Sequence, residues 1–569
     1  MSSGPEKGHG ESLDAFQRIT PAFRPQQVEK TAPCQTGCPN CGDIRGWIGT
    51  VAQREQTGLS LEEAYTRAWR MIADVNPFPS VLGRVCPHPC EEHCNRSELD
   101  EPLAINAMER FLGDWAIDAD VPLARVEEGP HDEWIGVVGA GPSGLSFAYQ
   151  MARRGYRVTV YEGKEKAGGM LRYGIPDYRL PPRILDAEID RIFDLGVELH
   201  LNTVVGRDVS LERLRSRHAT VYLGIGAQMG RGLGIPGEEG SSVWTGTDYL
   251  AGVNCGEQTD LGSRVVVVGG GNTAVDAART ARRTGAQVTI LYRRSRKEMP
   301  AIAEEIDDAL EEGIQLVLLA APVRIERLPN GKLAELVACQ MKLGEPDESG
   351  RRRPIAIPHS EYSIAADSVI AAVSQAPFLE GFEALDRDGN WLLTDAAGSL
   401  GDGLLSGGDA LGLGIAGNAI VQGRRAAEEL HARLHELSPS EVKADRAMDG
   451  RTVIGPDQVM LDYKPETPAV HAPKLTGDER VTMGEAEVAS TITEDEFLAE
   501  VSRCYSCGSC FGCEQCSMFC TPGCFTKLEE VGPGVYFTLT LDQCEECGKC
   551  VEVCPCGFLE VTGPTEARA

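Results

Sequence analysis

Residues 133–163 read EWIGVVGAGPSGLSFAYQMARRGYRVTVYEG, and this stretch decides the fold of the central part of the chain. An apolar run ends in Gly139-x-Gly141-x-x-Gly144, a helical pattern follows, and a second apolar run ends in Glu162. Glycines at these spacings allow a tight turn, close approach of a pyrophosphate to backbone N–H groups, and close packing of helix on strand. A carboxylate ending the second strand can accept hydrogen bonds from an adenosine ribose. Strand, glycines, helix, strand and acid in that order predict a dinucleotide site on a parallel α/β sheet.

Downstream, residues 263–295 repeat the pattern as SRVVVVGGGNTAVDAARTARRTGAQVTILYRRS, with Ala274 in the third place of Gly269-x-Gly271-x-x-Ala274. This second strand ends in Arg293-Arg294 without a carboxylate. An acid there would repel a 2′-phosphate, whereas a guanidinium grips one through charge-assisted hydrogen bonds. NADP(H) is therefore favoured, with NAD(H) the alternative; the bland reading is that the two arginines line a solvated loop. Two more signals flank the repeat. AGGMLRYGIPDYRLP (167–181) pairs glycines where backbone must approach a ligand, and LLSGGDALGLGIAGNAIVQGRRAAEEL (404–430) puts Asp409 between a strand and a glycine-rich helix start. No CxxC lies between the two nucleotide motifs, which argues against disulfide reductase chemistry.

Outward from this core, 569 residues are too many for one hydrophobic core. The net charge of −30 argues against a phosphate-backbone partner, so no nucleic acid is expected. No stretch reaches the ~18 continuous apolar residues of a membrane span, and the opening MSSGPEKGHGESLD has no signal-peptide pattern. Eighteen of the twenty cysteines sit in residues 34–94 and 504–556. Clustered thiols in a long chain without a secretory leader read as metal ligands, and a cytoplasmic location is expected.

Cys544-x2-Cys547-x2-Cys550-x3-Cys554-Pro is a ferredoxin run, and Cys510-x2-Cys513-x2-Cys516-x3-Cys520 matches it with the proline one residue late. The fourth cysteine of each run serves the other cluster in two-cluster ferredoxins. This predicts one [4Fe–4S] on Cys510, Cys513, Cys516 and Cys554, and another on Cys544, Cys547, Cys550 and Cys520. Structural zinc favours isolated four-ligand knuckles over two interleaved runs. Cys504 and Cys507 continue the three-residue spacing, so the frame can also be read shifted onto them; Cys524 and Cys556 have no assigned role. Nearer the start stand Cys34-x3-Cys38-x2-Cys41 and Cys86-x3-Cys90-x3-Cys94.

The order of first fingerprint, inserted nucleotide domain and returning GGD segment resembles the flavoproteins related to the glutamate synthase small subunit. NPFPSVLGRVCPHPCEEHC (76–94) is close to the pattern shared by that subunit and the N-domain of dihydropyrimidine dehydrogenase. The resemblance implies FAD at Gly139, Gly141, Pro142, Ser143, Gly144, Glu162, Gly169, Leu171, Gly408 and Asp409. It implies the nicotinamide nucleotide at Gly271, Asn272, Thr273, Ala274, Arg293 and Arg294. It also assigns Cys38, Cys86, Cys90 and Glu109 to one cluster and leaves Cys34 and Cys94 for a second, with Cys41 a further candidate. That second set is short of ligands, because KTAP stands where the pattern has an upstream CxxC. Three or four [4Fe–4S] clusters are expected in all.

The expected fold class is α/β: two Rossmann-like FAD and NAD(P) domains, an N-terminal helical Fe–S domain, and a C-terminal α+β ferredoxin-like domain. The boundaries read as 1–130 for the helical domain, 131–260 and 366–434 for the split FAD domain, and 261–365 for the NAD(P)H domain. Residues 435–500 read as an extended linker and 501–563 as the ferredoxin-like module. Ser60-Leu-Glu-Glu63 marks a helix start in the first of these. Nicotinamide gives two electrons as hydride and clusters pass one, with a flavin converting between them. The expected function is NAD(P)H:acceptor oxidoreduction in a hetero-oligomer, with a ferredoxin or partner redox subunit as acceptor and no acid–base catalyst. The 2-oxoacid:ferredoxin, aromatic acyl-CoA and sulfite reductase systems hold similar chains with an appended ferredoxin domain. The alternatives are a glutamate synthase small subunit proper and, more remotely, a non-catalytic cluster assembly or sensor protein.

Overall fold

The apolar run at Trp134–Val138 is buried on both faces, as a central parallel strand must be, and it organises a six-stranded sheet. From edge to edge the order is Ser399–Gly401, Leu404–Ser406, Thr220–Leu223, Trp134–Val138, Arg157–Tyr161 and Glu198–His200. All pairs are parallel except the first, an antiparallel hairpin. The structure, a computed structural model, describes residues 24–126, 130–436 and 451–562. Parts of the expected helical domain, linker and C-terminal module therefore lie outside the described residues.

The second fingerprint builds its own five-stranded parallel sheet, ordered Gln315–Leu318, Gln287–Tyr292, Arg264–Val268, Ser368–Ala371, Val243–Thr245. An antiparallel group, led by the long strand Leu333–Pro346, packs against it. Helices Pro142–Arg153 and Asn272–Arg283 lie on the two sheets, directly after the two glycine turns. Ahead of the first sheet stand helices Ile44–Ala52, Leu61–Ala73, Pro79–Val85 and Ile105–Asp118. Ser60 and Glu63 form the capping box read from the sequence, satisfying backbone donors at the start of Leu61–Ala73.

Over its described part, the expected extended linker 435–500 runs across the surface of the folded domains. Residues 451–500 are a strap whose ion pairs reach two domains. Arg480 is buried and pairs with Asp308 at 2.9 Å, while Glu487 receives Arg84 at 2.7 Å and Arg110 at 2.8 Å. Helix Glu494–Arg503, capped by Thr493 and Glu496, then inserts Phe497 into the N-terminal helical core. There Phe497 stacks on Phe111 at 4.4 Å and meets Tyr65 edge-on at 5.4 Å. The chain ends also pair: Arg24–Gln27 runs antiparallel to Leu559–Thr562. The C-terminal module is thus seated on the N-terminal domain.

Candidate functional site

Each candidate site grows from a turn that the sequence cannot make otherwise. Gly169 holds φ 53° and lies so near the first fingerprint that a Cβ on it would stand 2.7 Å from Gly141 Cα. Such a cradle admits backbone to a ligand and no side chain. Glu162 is buried, and its oxygens accept from Ala140 N at 2.7 Å and Lys164 N at 2.9 Å, so the acid also fastens the glycine turn. Ser143 Oγ meets Tyr222 Oη at 2.6 Å beneath Gly408, and Leu171 is buried. Burial pushes the Asp409 carboxyl up to about 6, against a single opposing donor, Gly414 N at 3.1 Å. A half-buried acid with acceptor capacity to spare, opposite a glycine cradle, fits the sugar and ribityl hydroxyls of FAD.

The second fingerprint opens on a cleft of about 510 Å³ lined by Gly269, Gly271, Thr273, Arg293, Arg294, Arg351 and Gln375. Gln375 Nε2 donates to Thr273 Oγ1 at 3.1 Å. Asn272 turns away, its Oδ1 accepting from Ile302 N at 3.0 Å, and Ala274 is fully buried beneath the turn. The two arginines separate. Arg293 is exposed at the cleft, whereas Arg294 is buried and tied to Asp347 Oδ2 at 2.6 Å and to Arg352 O at 2.8 Å. Arg351, which the sequence reading did not single out, lines the cleft as well; the run Arg351-Arg352-Arg353 was its available signal. Leu413, from the loop between Asp409 and helix Ala416–Leu434, borders the same cleft, so the two nucleotide sites adjoin.

Cys38, Cys86, Cys90 and Glu109 line one cavity, together with Gly417 in the first turn of helix Ala416–Leu434. Burial pushes the Cys38 and Cys86 thiols up, to about 11 and about 12, and the Glu109 carboxyl to about 7. Asn76 Nδ2 holds Glu109 Oε1 at 2.9 Å. Buried sulfurs that resist ionisation become thiolates only when a cation sits among them, which fits a metal cluster. A second cavity is lined by Cys34, Cys94, Cys504 and Cys507. Cys41 is not part of it: its Sγ faces Pro39 O at 4.0 Å. The structure thus separates Cys41 from Cys34 and Cys94, and it carries Cys504 and Cys507 out of the ferredoxin frame.

In the C-terminal module burial raises the Cys510, Cys513 and Cys516 thiols, and nearby Cys554 raises all three further, while the Cys554 thiol itself is lowered, chiefly by its hydrogen bond with Cys556. The Cys550 thiol is raised by burial and further by Cys520 and Cys547, and Cys520 and Cys544 both neighbour Cys524. Two unassigned cysteines flank these sets: Cys556 Sγ lies 3.8 Å from Cys554 Sγ, and Cys524 N donates to Cys520 Sγ at 3.3 Å. No described helix is long and apolar enough to cross a membrane.

Comparisons with known proteins accord with this geometry. The family model described as pyridine nucleotide-disulphide oxidoreductase matches residues 134–423. The model for dihydropyrimidine dehydrogenase domain II, 4Fe-4S cluster, matches residues 11–121. The chain is 34% identical over 551 residues to the NADPH-Fe(3+) oxidoreductase subunit beta of Geobacter sulfurreducens, covering 87% of this chain and 78% of that one. It is 38% identical over 445 residues to the NADP(+)-dependent formate dehydrogenase subunit beta of Moorella thermoacetica, covering 73% and 62%. It is 34% identical over 424 residues to the glutamate synthase [NADPH] small chain of Azospirillum brasilense, covering 70% and 86%.

Proposed function

The chain belongs to the pyridine nucleotide-disulphide oxidoreductase family, and on that premise we propose that it moves electrons between NADPH and a ferredoxin-type or partner-enzyme acceptor within a larger redox complex. It is an NADPH-dependent electron-transfer flavoprotein with FAD and [4Fe–4S] domains. The acceptor is the proposed part. FAD supplies the exchange between a two-electron hydride donor and one-electron acceptors.

The observation that carries the reading is adjacency. Leu413 borders the nucleotide cleft, and Gly417, four residues on, borders the cavity of Cys38, Cys86, Cys90 and Glu109. One short segment therefore connects the hydride side with the cluster side. Thr273, Gln375, Arg293 and Arg351 would hold and orient NADPH; Asp409 and the Gly139–Gly144 turn would hold FAD. The cysteine cavities continue from there to the docked C-terminal module. The relatives named as subunits of formate dehydrogenase and of an Fe(3+) oxidoreductase support a partner enzyme.

The test is anaerobic stopped-flow mixing of the pure protein with NADPH, followed by ferredoxin. Flavin bleaching on NADPH addition, then ferredoxin reduction at a comparable rate, is the expected outcome. Flavin reduction with no transfer to ferredoxin would shift the acceptor to a dedicated partner. Glutamine-dependent NADPH oxidation with a glutamate synthase large subunit would select the second reading, which the Azospirillum relative favours.

A further inference from the structure

Cys34 and Cys94 find no third or fourth ligand in their own domain. Cys38, Cys86 and Cys90 line the other cavity, and Cys41 is held at a left-handed corner, φ 51°, against Pro39. The missing ligands arrive from the far end of the chain. We infer that Cys504 and Cys507 complete a further [4Fe–4S] centre with Cys34 and Cys94, assembled across the N-terminal and C-terminal parts of the chain. The inference deepens the electron-transfer reading and rests on it only for the route, not for the site.

Three observations point to a built site. First, the four cysteines line one cavity whose other walls are apolar side chains, such as Ile48 and Leu103, and the cations Arg45 and Arg96; no carboxylate lines it. Four thiolates around a [4Fe–4S] core leave net negative charge, and the guanidinium groups of Arg45 and Arg96, paired on their other sides with Glu29 and Asp100, stand beside it. Second, the Cys504–Cys507 loop is fixed in place by the N-terminal domain and the strap. Arg45 Nη1 donates to Cys507 O at 2.9 Å, Arg96 Nη1 to Arg503 O at 2.9 Å, and Lys464 Nζ to Cys504 O at 2.6 Å. Glu500, fully buried, accepts from Ala104 N at 2.8 Å and Val470 N at 3.1 Å. Third, donors already face the sulfurs: Ser506 N lies 3.4 Å from Cys504 Sγ and Asn95 Nδ2 3.7 Å from Cys507 Sγ.

The spacing of the sulfurs selects a cluster over a single ion. Zinc with bonds of roughly 2.3 Å would draw four sulfurs to within about 3.8 Å of each other. Among the described residues, the ligand atoms that converge in threes within 4.8 Å belong to His131, His431 and His435, not to these cysteines. The place of the centre follows from its walls. Ile44 and Ile105 line both this cavity and that of Cys38, Cys86, Cys90 and Glu109. On the other side Gly508 N donates to Cys556 O at 2.7 Å, two residues from Cys554. The centre therefore stands between the N-terminal and C-terminal sets. One electron enters and one leaves, twice per NADPH oxidised, with no bond made or broken.

The test uses the full-length protein, purified anaerobically, with iron, acid-labile sulfide and FAD measured per chain. C504S/C507S together should lose about four irons and four sulfides while FAD content stays at the wild-type level. Cys34→Ser should lose the same iron, and the triple variant should lose no more than either, because all three changes empty one centre. Cys41→Ser should lose none. Unchanged iron in C504S/C507S, or losses that add between the two variants, would overturn the assignment. So would recovery of zinc in place of the missing iron. Failure of ferredoxin reduction with full iron content would instead count against the electron-acceptor reading alone.

Discussion

Side chains that read alike in the sequence part company once their partners are seen. Arg293 and Arg294 are adjacent and identical and both line the nucleotide cleft, yet Arg294 is buried and tied to Asp347 whereas Arg293 is exposed. Arg293→Ala is expected to weaken NADPH binding roughly ten- to a hundredfold, about 1.5–3 kcal/mol for a charge-assisted contact, with little change for NADH. Arg294→Ala should instead lower thermal stability, through the turn it holds at Asp347. Parallel titrations with both nucleotides and a melting curve separate the two. Glu188 offers a pH test. It is buried, accepts from Ser80 N at 2.7 Å and Val81 N at 3.0 Å, and burial pushes its carboxyl up to about 8. A carboxyl whose folded value lies above its unfolded value of roughly 4.3 contributes most below that unfolded value, and the contribution fades as pH rises toward 8. Relative to Glu188→Gln, the wild type should lose about 2 kcal/mol between pH 6 and pH 8. A pH-independent difference in melting temperature would refute this.

At the scale of elements, local patterns were legible where the chemistry is local. Glycine turns, the Ser60–Glu63 cap and the two ferredoxin runs declare themselves within a dozen residues, because steric and ligand spacing are set by nearby backbone. The strap was not legible in that way. Its contacts are ion pairs to other domains, Arg480 to Asp308 and Glu487 to Arg84, which leave no apolar period to read. The signal that was available, Thr493-x-x-Glu496 ahead of Phe497 and Val501, marks a short capped helix. Cys504 and Cys507 misled for the same reason, since their spacing matches the next run while their cavity lies 412 residues back, beside Asn95. The helix Glu494–Arg503 therefore belongs to the N-terminal core. Phe497→Ala should cost about 3–5 kcal/mol, as expected of a stacked, fully buried aromatic. Truncation before Asp495 should damage the N-terminal domain, whereas truncation after Ser509 should remove the C-terminal module and spare that core. Protease resistance of residues 44–118 in the two truncations is the measurement.

Over the whole molecule, the nucleotide cleft and the cysteine cavities adjoin one another through Leu413, Gly417, Ile44 and Ile105, and the strap and the pairing of Arg24–Gln27 with Leu559–Thr562 tie the parts together. Loosening the strap should interrupt transfer without touching a cofactor. Arg480→Ala leaves the Asp308 carboxylate with Lys474 at 3.5 Å and with Arg279 at 3.6 Å. It is expected to raise amide exchange across residues 475–492 and to leave FAD content unchanged. Uniform exchange across the chain would show that the strap carries no load of its own. The pairing of Arg24–Gln27 with Leu559–Thr562 has a consequence in time as well as in space. A ribosome adding about 5–20 residues per second needs roughly half a minute to two minutes to travel between those strands. For that interval the domain of residues 24–118 waits without its closing strand, and for most of it also without Phe497 and with the Cys34–Cys94 cavity open on one side. That domain is thus made long before the strand that completes it, and the nascent chain is most open to misassembly during the wait.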